Sequence, residues 1–149
     1  MRKPYLRFFI LAFFVFLLDQ ATKILIVKHL SLYQVIRIFP SFNIVYYRNI
    51  GSAFGLFKTL GNPFFIVISL IAIAGVAFLI IKDRGGRLGF SLILAGAAGN
   101  LADRLAHGYV VDFIEVYAGN FYWPAFNVAD SALTIGIALL IVKTVIGRE

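Results

Sequence analysis

Cysteine is absent from this chain, which excludes disulfides, thiolate metal sites and a cysteine nucleophile. Histidine is nearly absent, and His29 and His107 are too few for most metal-ligand motifs. Charge is scarce too: 14% of the 149 residues are charged and 61% are hydrophobic. The mean hydropathy of +0.91 is far above that of soluble domains, in which roughly half the residues are apolar. A soluble core of this size could not hide so much apolar surface. The same arithmetic excludes a disordered or collagen-like chain. There is no His-Glu-x-x-His zinc motif and no Gly-x-Ser-x-Gly elbow. A serine–lysine pair such as Ser52 and Lys58 has no spacing to recommend it. No metal and no cofactor are expected. What is left is an integral membrane protein, one domain over residues 1–149.

Four stretches are long enough to cross a bilayer, which takes about 20 apolar residues as a helix. They run over about 8–27, 63–81, 88–106 and 128–146. The first resembles a secretory signal peptide only in part. Arg2 and Lys3 precede an apolar run, but Asp19-Gln-Ala-Thr-Lys23 and Ile24 to Val27 follow in place of a small-residue cleavage site, so a retained helix is expected.

The net charge of +7 comes from 14 Lys/Arg against 7 Asp/Glu. Most of the basic residues sit at the ends of apolar runs, which reads as topology and not as nucleic-acid binding. A cytoplasmic N-terminus puts eight of them inside (Arg2, Lys3, Arg7, Lys82, Arg84, Arg87, Lys143, Arg148) and four outside (Lys28, Arg37, Arg48, Lys58). The positive-inside rule therefore predicts both termini in the cytoplasm and the two long connections, residues 28–62 and 107–127, outside. In the first of these, Ser41 to Phe57 is rich in β-branched and aromatic residues and then glycine, which predicts short strands and turns. The second is aromatic around Trp123, the only Trp, and Trp and Tyr favour the headgroup region.

Ionisable residues inside spans need a reason, because each costs roughly 2.5–3.5 kcal/mol at mid-span. Asp19 and Lys23 are four apart on one helical face and can form an ion pair, structural or proton-carrying. Ala95 to Gly99 is a small-residue stretch that lets a second helix approach closely. Asn100 and Arg104 share a face near the outer end of that span. They are candidates to orient a substrate or brace a site, unless Arg104 is only an interfacial anchor.

Asp112 falls just past the third span and Asp130 in the first turn of the fourth, both among apolar neighbours. Two carboxylates brought together there cannot both ionise cheaply, so one holds a proton while the other acts as base toward water. Asp103 is a rival partner, and an acid in a helix's first turn also simply complements the helix dipole. A proton-coupled transporter built on Asp19, or a structural subunit assembled through Asp19 and Lys23, is the alternative to two-carboxylate catalysis by Asp112 and Asp130.

Five motifs in order carry a resemblance: Asp19-Gln-Ala-Thr-Lys23, Asn49-Ile-Gly51-Ser-Ala53-Phe-Gly55, Gly99-Asn100-Leu-Ala-Asp-Arg104, Val111-Asp112-Phe113 and Phe126-Asn127-Val-Ala129-Asp130. With them the chain resembles the lipoprotein signal peptidases (signal peptidase II), the bacterial membrane aspartic proteases, over nearly its whole length. One departure is Ala95, where a second glycine often precedes Gly96. The resemblance implies a helical membrane protein with four transmembrane helices, a small extracytoplasmic β-cradle over Ser41 to Phe57, and a short extracytoplasmic helix or lid near Trp123. It implies Asp112 and Asp130 as the catalytic pair, with Asp19 and Asp103 in supporting roles. Asn49, Gly51, Asn100, Arg104 and Asn127 would line or brace the site. The implied substrates are prolipoproteins carrying a diacylglyceryl cysteine, cut just before that cysteine. Membrane phospholipid is an expected partner, with Arg48 and Lys58 as candidates to meet its phosphates, and a monomer in the bacterial cytoplasmic membrane is the expected form, with its active site at the outer face.

Overall fold

The computed structural model describes residues 3–51 and 61–146. Its elements are α1 (Leu6–His29), β1 (Val35–Phe39), β2 (Phe42–Asn49), α2 (Gly61–Lys82), α3 (Arg87–His107), β3 (Val110–Ala118), β4 (Phe121–Tyr122) and α4 (Val128–Ile146). Ser52, Ala53, Gly55, Phe57, Lys58, Arg2 and Arg148 of the expectations above lie outside the described residues.

Among the described residues, three helices, α1, α2 and α4, are long and apolar enough to cross a membrane. Four spans were expected, and α3 is the one that differs. It has 21 residues, enough length for a crossing at 1.5 Å per residue, but its composition is small and polar. The reason is its position: α3 packs against α1, α2 and α4, so its buried face meets protein instead of lipid. That face carries Gly89, Ala95, Gly96, Gly99, Asn100 and Asp103. A Cβ on Gly96 would overlap the Ala129 carbonyl, so the α3–α4 crossing requires glycine there. On α2, by contrast, Ile80 is the only buried residue, and Val67, Ile71 and Phe78 point outward. Such an all-round apolar surface suits lipid as solvent. The turn into α3 is closed by the buried Arg87, whose guanidinium donates to the Ile80 and Ile81 carbonyls at 2.8 and 3.2 Å. Those carbonyls lie in the last turn of α2, where helix hydrogen bonds run out.

The four strands form one antiparallel sheet in the order β1-β2-β3-β4. Because β2 follows α1 and β3 follows α3, their pairing gathers both long connections at one end of the helices. The register sets Tyr47 opposite Asp112, Asn49 opposite Val110 and Asn43 opposite Glu115, with an irregularity between Ile44 and Tyr47. Gly108, in the left-handed conformation at φ 80°, ends α3 and donates to the Arg104 carbonyl at 3.1 Å. Two residues later the chain is in β3, which brings Asp112 back over the end of α3.

The aromatic segment near Trp123, expected to be a short helix or lid, is a hairpin instead. Tyr117 pairs with Tyr122 and Ala118 with Phe121 around Gly119, which has φ 58°. Tyr117 and Tyr122 stack with centroids 5.0 Å apart. Beyond β4, Trp123 N–H donates to the Val116 carbonyl, and Phe126 exchanges hydrogen bonds with Ile114. Backbone groups that already pair with a neighbouring strand are not free to close a helical turn. Asp112 lies on β3, so the sheet extends from the cradle expected over Ser41 to Phe57 into the second long connection.

Candidate active site

The site is organised by a side chain that is fully buried, Asn127, at the start of α4. Its Oδ1 accepts the Asp130 N–H at 2.9 Å, and its own N–H donates to Asp130 Oδ2 at 3.3 Å. This is a reciprocal N-terminal cap, in which two otherwise orphaned backbone donors are satisfied by two side chains. The other end of the amide faces β3. Asn127 Nδ2 donates to Asp112 Oδ1 at 2.8 Å, with the Val111 carbonyl at 3.2 Å and Asn100 Oδ1 at 3.3 Å also in reach. One side chain therefore holds both aspartates. The backbone pairing of Phe126 with Phe113 and Ile114 is what delivers it there.

Asp112 is 3% exposed. Its second oxygen accepts from Asn49 Nδ2 at 3.0 Å, and Asn49 Oδ1 in turn accepts the Gly51 N–H at 3.0 Å. Burial first, and the Asp130 charge second, push the Asp112 carboxyl from 3.8 up to about 7. The hydrogen bonds from Asn49 and Asn127 and the Lys23 charge act in the opposite direction without prevailing. Asp130 Oδ1 accepts from Asn100 Nδ2 at 2.8 Å. Lys23 sets the orientation of that amide: its ammonium donates to Asn100 Oδ1 at 3.1 Å, so the NH₂ end must face Asp130.

Asp19 and Lys23 lie 2.9 Å apart, buried, and Asp103 joins them at 3.1 Å from the same ammonium. Asp103 is thus turned away from the position of a rival to Asp130. Its Oδ2 also accepts the Val111 N–H at 2.9 Å. Asp19 Oδ1 accepts the Ala129 N–H at 2.8 Å, at the positive end of α4. Gln20, a residue the sequence reading passed over, donates to Asp19 Oδ2, Asp103 Oδ1 and the Gly99 carbonyl. Its adjacency to Asp19 was a weak signal. A stronger one was missed at Asn127: Asn-x-x-Asp at a helix start is the pattern of a reciprocal cap. A buried carboxylate away from the site, Glu115 on β3, accepts from Asn43 Nδ2 at 2.8 Å and the Tyr47 hydroxyl at 3.4 Å, and nothing in the sequence pattern singled it out.

Arg104 reaches neither aspartate with a hydrogen bond. Its two terminal nitrogens donate to the Asn100 and Gly51 carbonyls, both at 3.4 Å, and its guanidinium lies over the Phe65 ring at 5.0 Å. Arg48 also sits against aromatic rings, donating to the Tyr46 hydroxyl at 3.1 Å and lying 4.6 Å from the Tyr109 centroid.

A cleft of about 670 Å³ opens over these groups. Asn49, Gly51, Asn100, Arg104 and Asp130 form its polar side, and Leu133 and Ile135 of α4 part of its apolar side. Asp112 and Asn127 lie beneath the surface, behind Asn49 and Asn100. A cleft that is polar along one side and apolar along another can receive an amphiphilic chain, with two carboxyls held by amides at its polar end.

This arrangement of helices and sheet is shared by solved bacterial membrane enzymes. One such enzyme, solved by the in meso method at 2.3 Å, superposes with a TM-score of 0.88 at 34% identity, covering 96% of this chain and 90% of that one. A second, at 1.9 Å, gives 0.82 at 35% identity, covering 93% and 92%. The family described as Signal peptidase (SPase) II matches residues 11–146, and the chain belongs to that family of peptidases. Among its relatives is the lipoprotein signal peptidase of Thermodesulfovibrio yellowstonii, 48% identical over 131 residues, which are 88% of this chain and 89% of that protein. That of Syntrophus aciditrophicus is 43% identical over 97% of this chain and 96% of its own length.

Proposed function

We propose that this chain is a membrane aspartic endopeptidase that removes the signal peptide from diacylglyceryl-modified prolipoproteins, cleaving before the lipidated cysteine. The observation that carries the reading is the shared hold of Asn127 on Asp112 and Asp130 beneath an amphiphilic cleft. Burial raises the Asp112 carboxyl to about 7, so it is the member of the pair poised to carry a proton near neutral pH. Asp130 in its cap at a helix N-terminus is the better-supported anion. In this reading Asp130 takes a proton from water as the water oxygen attacks the scissile carbonyl. Asp112 donates to the carbonyl oxygen, giving a tetrahedral diol. As its C–N bond breaks, Asp130 passes the proton taken from water to the leaving nitrogen. One diol hydroxyl returns its proton to Asp112, leaving a carboxylic acid and a free amine.

A signal peptide is an apolar helix that arrives through the bilayer, and the acyl chains of its substrate remain in lipid. The apolar side of the cleft, from Leu133 to Ile135, suits those chains. We take α3 as a fourth crossing, shielded by its three neighbours. The basic residues favour cytoplasmic termini, with the sheet and the cleft on the outer side. Arg48, with Tyr46 and Tyr109, is then placed to meet a lipid phosphate.

The test is cleavage of a diacylglyceryl-modified prolipoprotein peptide by the purified chain in detergent, beside the same peptide without its lipid. Cleavage of the lipidated peptide alone, lost in Asp112→Asn, is the expected result. Equal cleavage of both peptides, or of neither, would overturn the substrate assignment.

A further inference from the structure

We infer that Lys23 is a positioning residue for both members of the pair, a buried ammonium that ties β3 and α4 into one rigid unit. The inference rests on the reading of Asp112 and Asp130 as the cleaving carboxyls. An ammonium has three N–H donors, and Lys23 has three acceptors: Asp19 Oδ2 at 2.9 Å, Asp103 Oδ2 at 3.1 Å and Asn100 Oδ1 at 3.1 Å. Each of the three then acts on one aspartate of the pair. Asp19 grips the N–H of Ala129, the residue before Asp130, at 2.8 Å. Asp103 grips the N–H of Val111, the residue before Asp112, at 2.9 Å. Asn100 donates directly to Asp130 at 2.8 Å. Gln20 closes the ring between Asp19 and Asp103 at 3.1 and 3.2 Å.

An ion pair that only stabilised helix packing would not need this arrangement. Two carboxylates share one cation here, and both spend hydrogen-bonding capacity on backbone next to a reacting group rather than on each other. Neither Lys23, Asp19, Asp103 nor Gln20 lines the cleft, so their substitution should act first on the geometry of the pair and reach substrate binding only to a small extent, through Asn100. Misplacement of a reacting group by about 1 Å costs on the order of a hundredfold in rate. A guanidinium is planar and cannot point three donors at the same three acceptors from this stem.

The test uses the full chain in detergent with a diacylglyceryl-modified prolipoprotein peptide, and reads kcat per folded molecule, KM and thermal unfolding. Lys23→Arg, which keeps the charge, should lose about a hundredfold in kcat with KM changed by less than about threefold. Asp103→Leu should behave likewise, whereas Asp103→Asn retains an oxygen for the Val111 N–H and should recover most of that loss. Amide hydrogen exchange supplies a readout independent of cleavage. Asp103→Leu should quicken exchange at Val111 and leave Ala129 protected, and should do so even if Lys23→Arg fails to fold. Wild-type kcat in Lys23→Arg, equal losses in Asp103→Leu and Asp103→Asn, or unchanged exchange at Val111 would overturn the inference. Wild-type turnover by Asp112→Asn in the same assay would remove the dyad reading and this inference with it. An inactive Asp112→Asn beside a fully active Lys23→Arg removes this inference alone.

Discussion

Asn127 and Asp130 cap each other: the Asp130 N–H donates to Asn127 Oδ1 at 2.9 Å while the Asn127 N–H donates to Asp130 Oδ2 at 3.3 Å. The same asparagine holds Asp112 with its amide nitrogen. Helix start and site are therefore one structure, and a substitution at Asn127 strikes both unless it is chosen to separate them.

Asn127→Ser separates them. A serine oxygen can still cap α4, because Ser is as good an N-cap as Asn, but it is too short to reach Asp112. The expected outcome is a thermal midpoint close to wild type with kcat down by about a hundredfold or more. Asn127→Ala should lose the cap as well, at about 1 kcal/mol of stability. Thermal unfolding and cleavage kinetics on the two variants check this, and a fully active Asn127→Ser would remove Asn127 from the site.

Asp112→Asn and Asp130→Asn should each abolish cleavage, since an amide can neither carry the proton nor accept one from water. Asp112→Asn should also change the pH dependence of stability. The folded-state value of Asp112 is raised from 3.8 to about 7. Its contribution is therefore full below about 3.8 and is lost as pH rises through about 7. The variant lacks this titration, so its melting temperature relative to wild type should rise between pH 4 and pH 8. A constant difference across that range would contradict the burial of this carboxyl. Activity against pH should be described by apparent values of the pair.

Arg104→Lys tests whether the planar fork matters. The guanidinium spans the Asn100 and Gly51 carbonyls while lying over Phe65, and an ammonium can do only part of this. A loss of about tenfold in kcat/KM is expected, equivalent to roughly 1.4 kcal/mol. Asn100→Leu should be more severe, because it removes the donor to Asp130 and leaves an acceptorless Lys23 donor buried. Near-wild-type turnover in Arg104→Lys would make Arg104 an interfacial anchor.

The glycines of α3 provide a test of packing. A Cβ at Gly99 would stand 2.5 Å from Asp19 Oδ2 and 3.2 Å from the Ala129 side chain, whereas one at Gly75 on α2 meets nothing within 4 Å. Gly99→Ala should therefore destabilise by about 1–3 kcal/mol and lower activity by moving Asp19. Gly75→Ala should be neutral or slightly stabilising, by up to about 1 kcal/mol. Chemical denaturation in detergent micelles would show a reversal of that order if the α1–α3 contact were loose.

The membrane class of this protein was legible in its sequence because hydropathy is a sum over residues and needs no geometry. Helix ends were legible to within about two residues, since apolar runs end where charge and glycine begin. The i to i+4 spacing placed Asp19 beside Lys23 on one helix face, a relation that helical geometry alone imposes. Five motifs in order pointed to the signal peptidase II family. The hairpin at Trp123 was not legible in the sequence: the lid was implied by the family resemblance alone, and pairing of this segment depends on β3 offering it a partner. Which residues of α3 meet lipid was not legible either, because the three helices around it decide that. Tertiary structure alone decided that Asp103 turns to Lys23 and the Val111 backbone, and that Asn127 joins Asp112 to Asp130. Those contacts link residues from different elements, and only the pairing of β2, β3 and the strand-like approach to α4 determines which side chains meet.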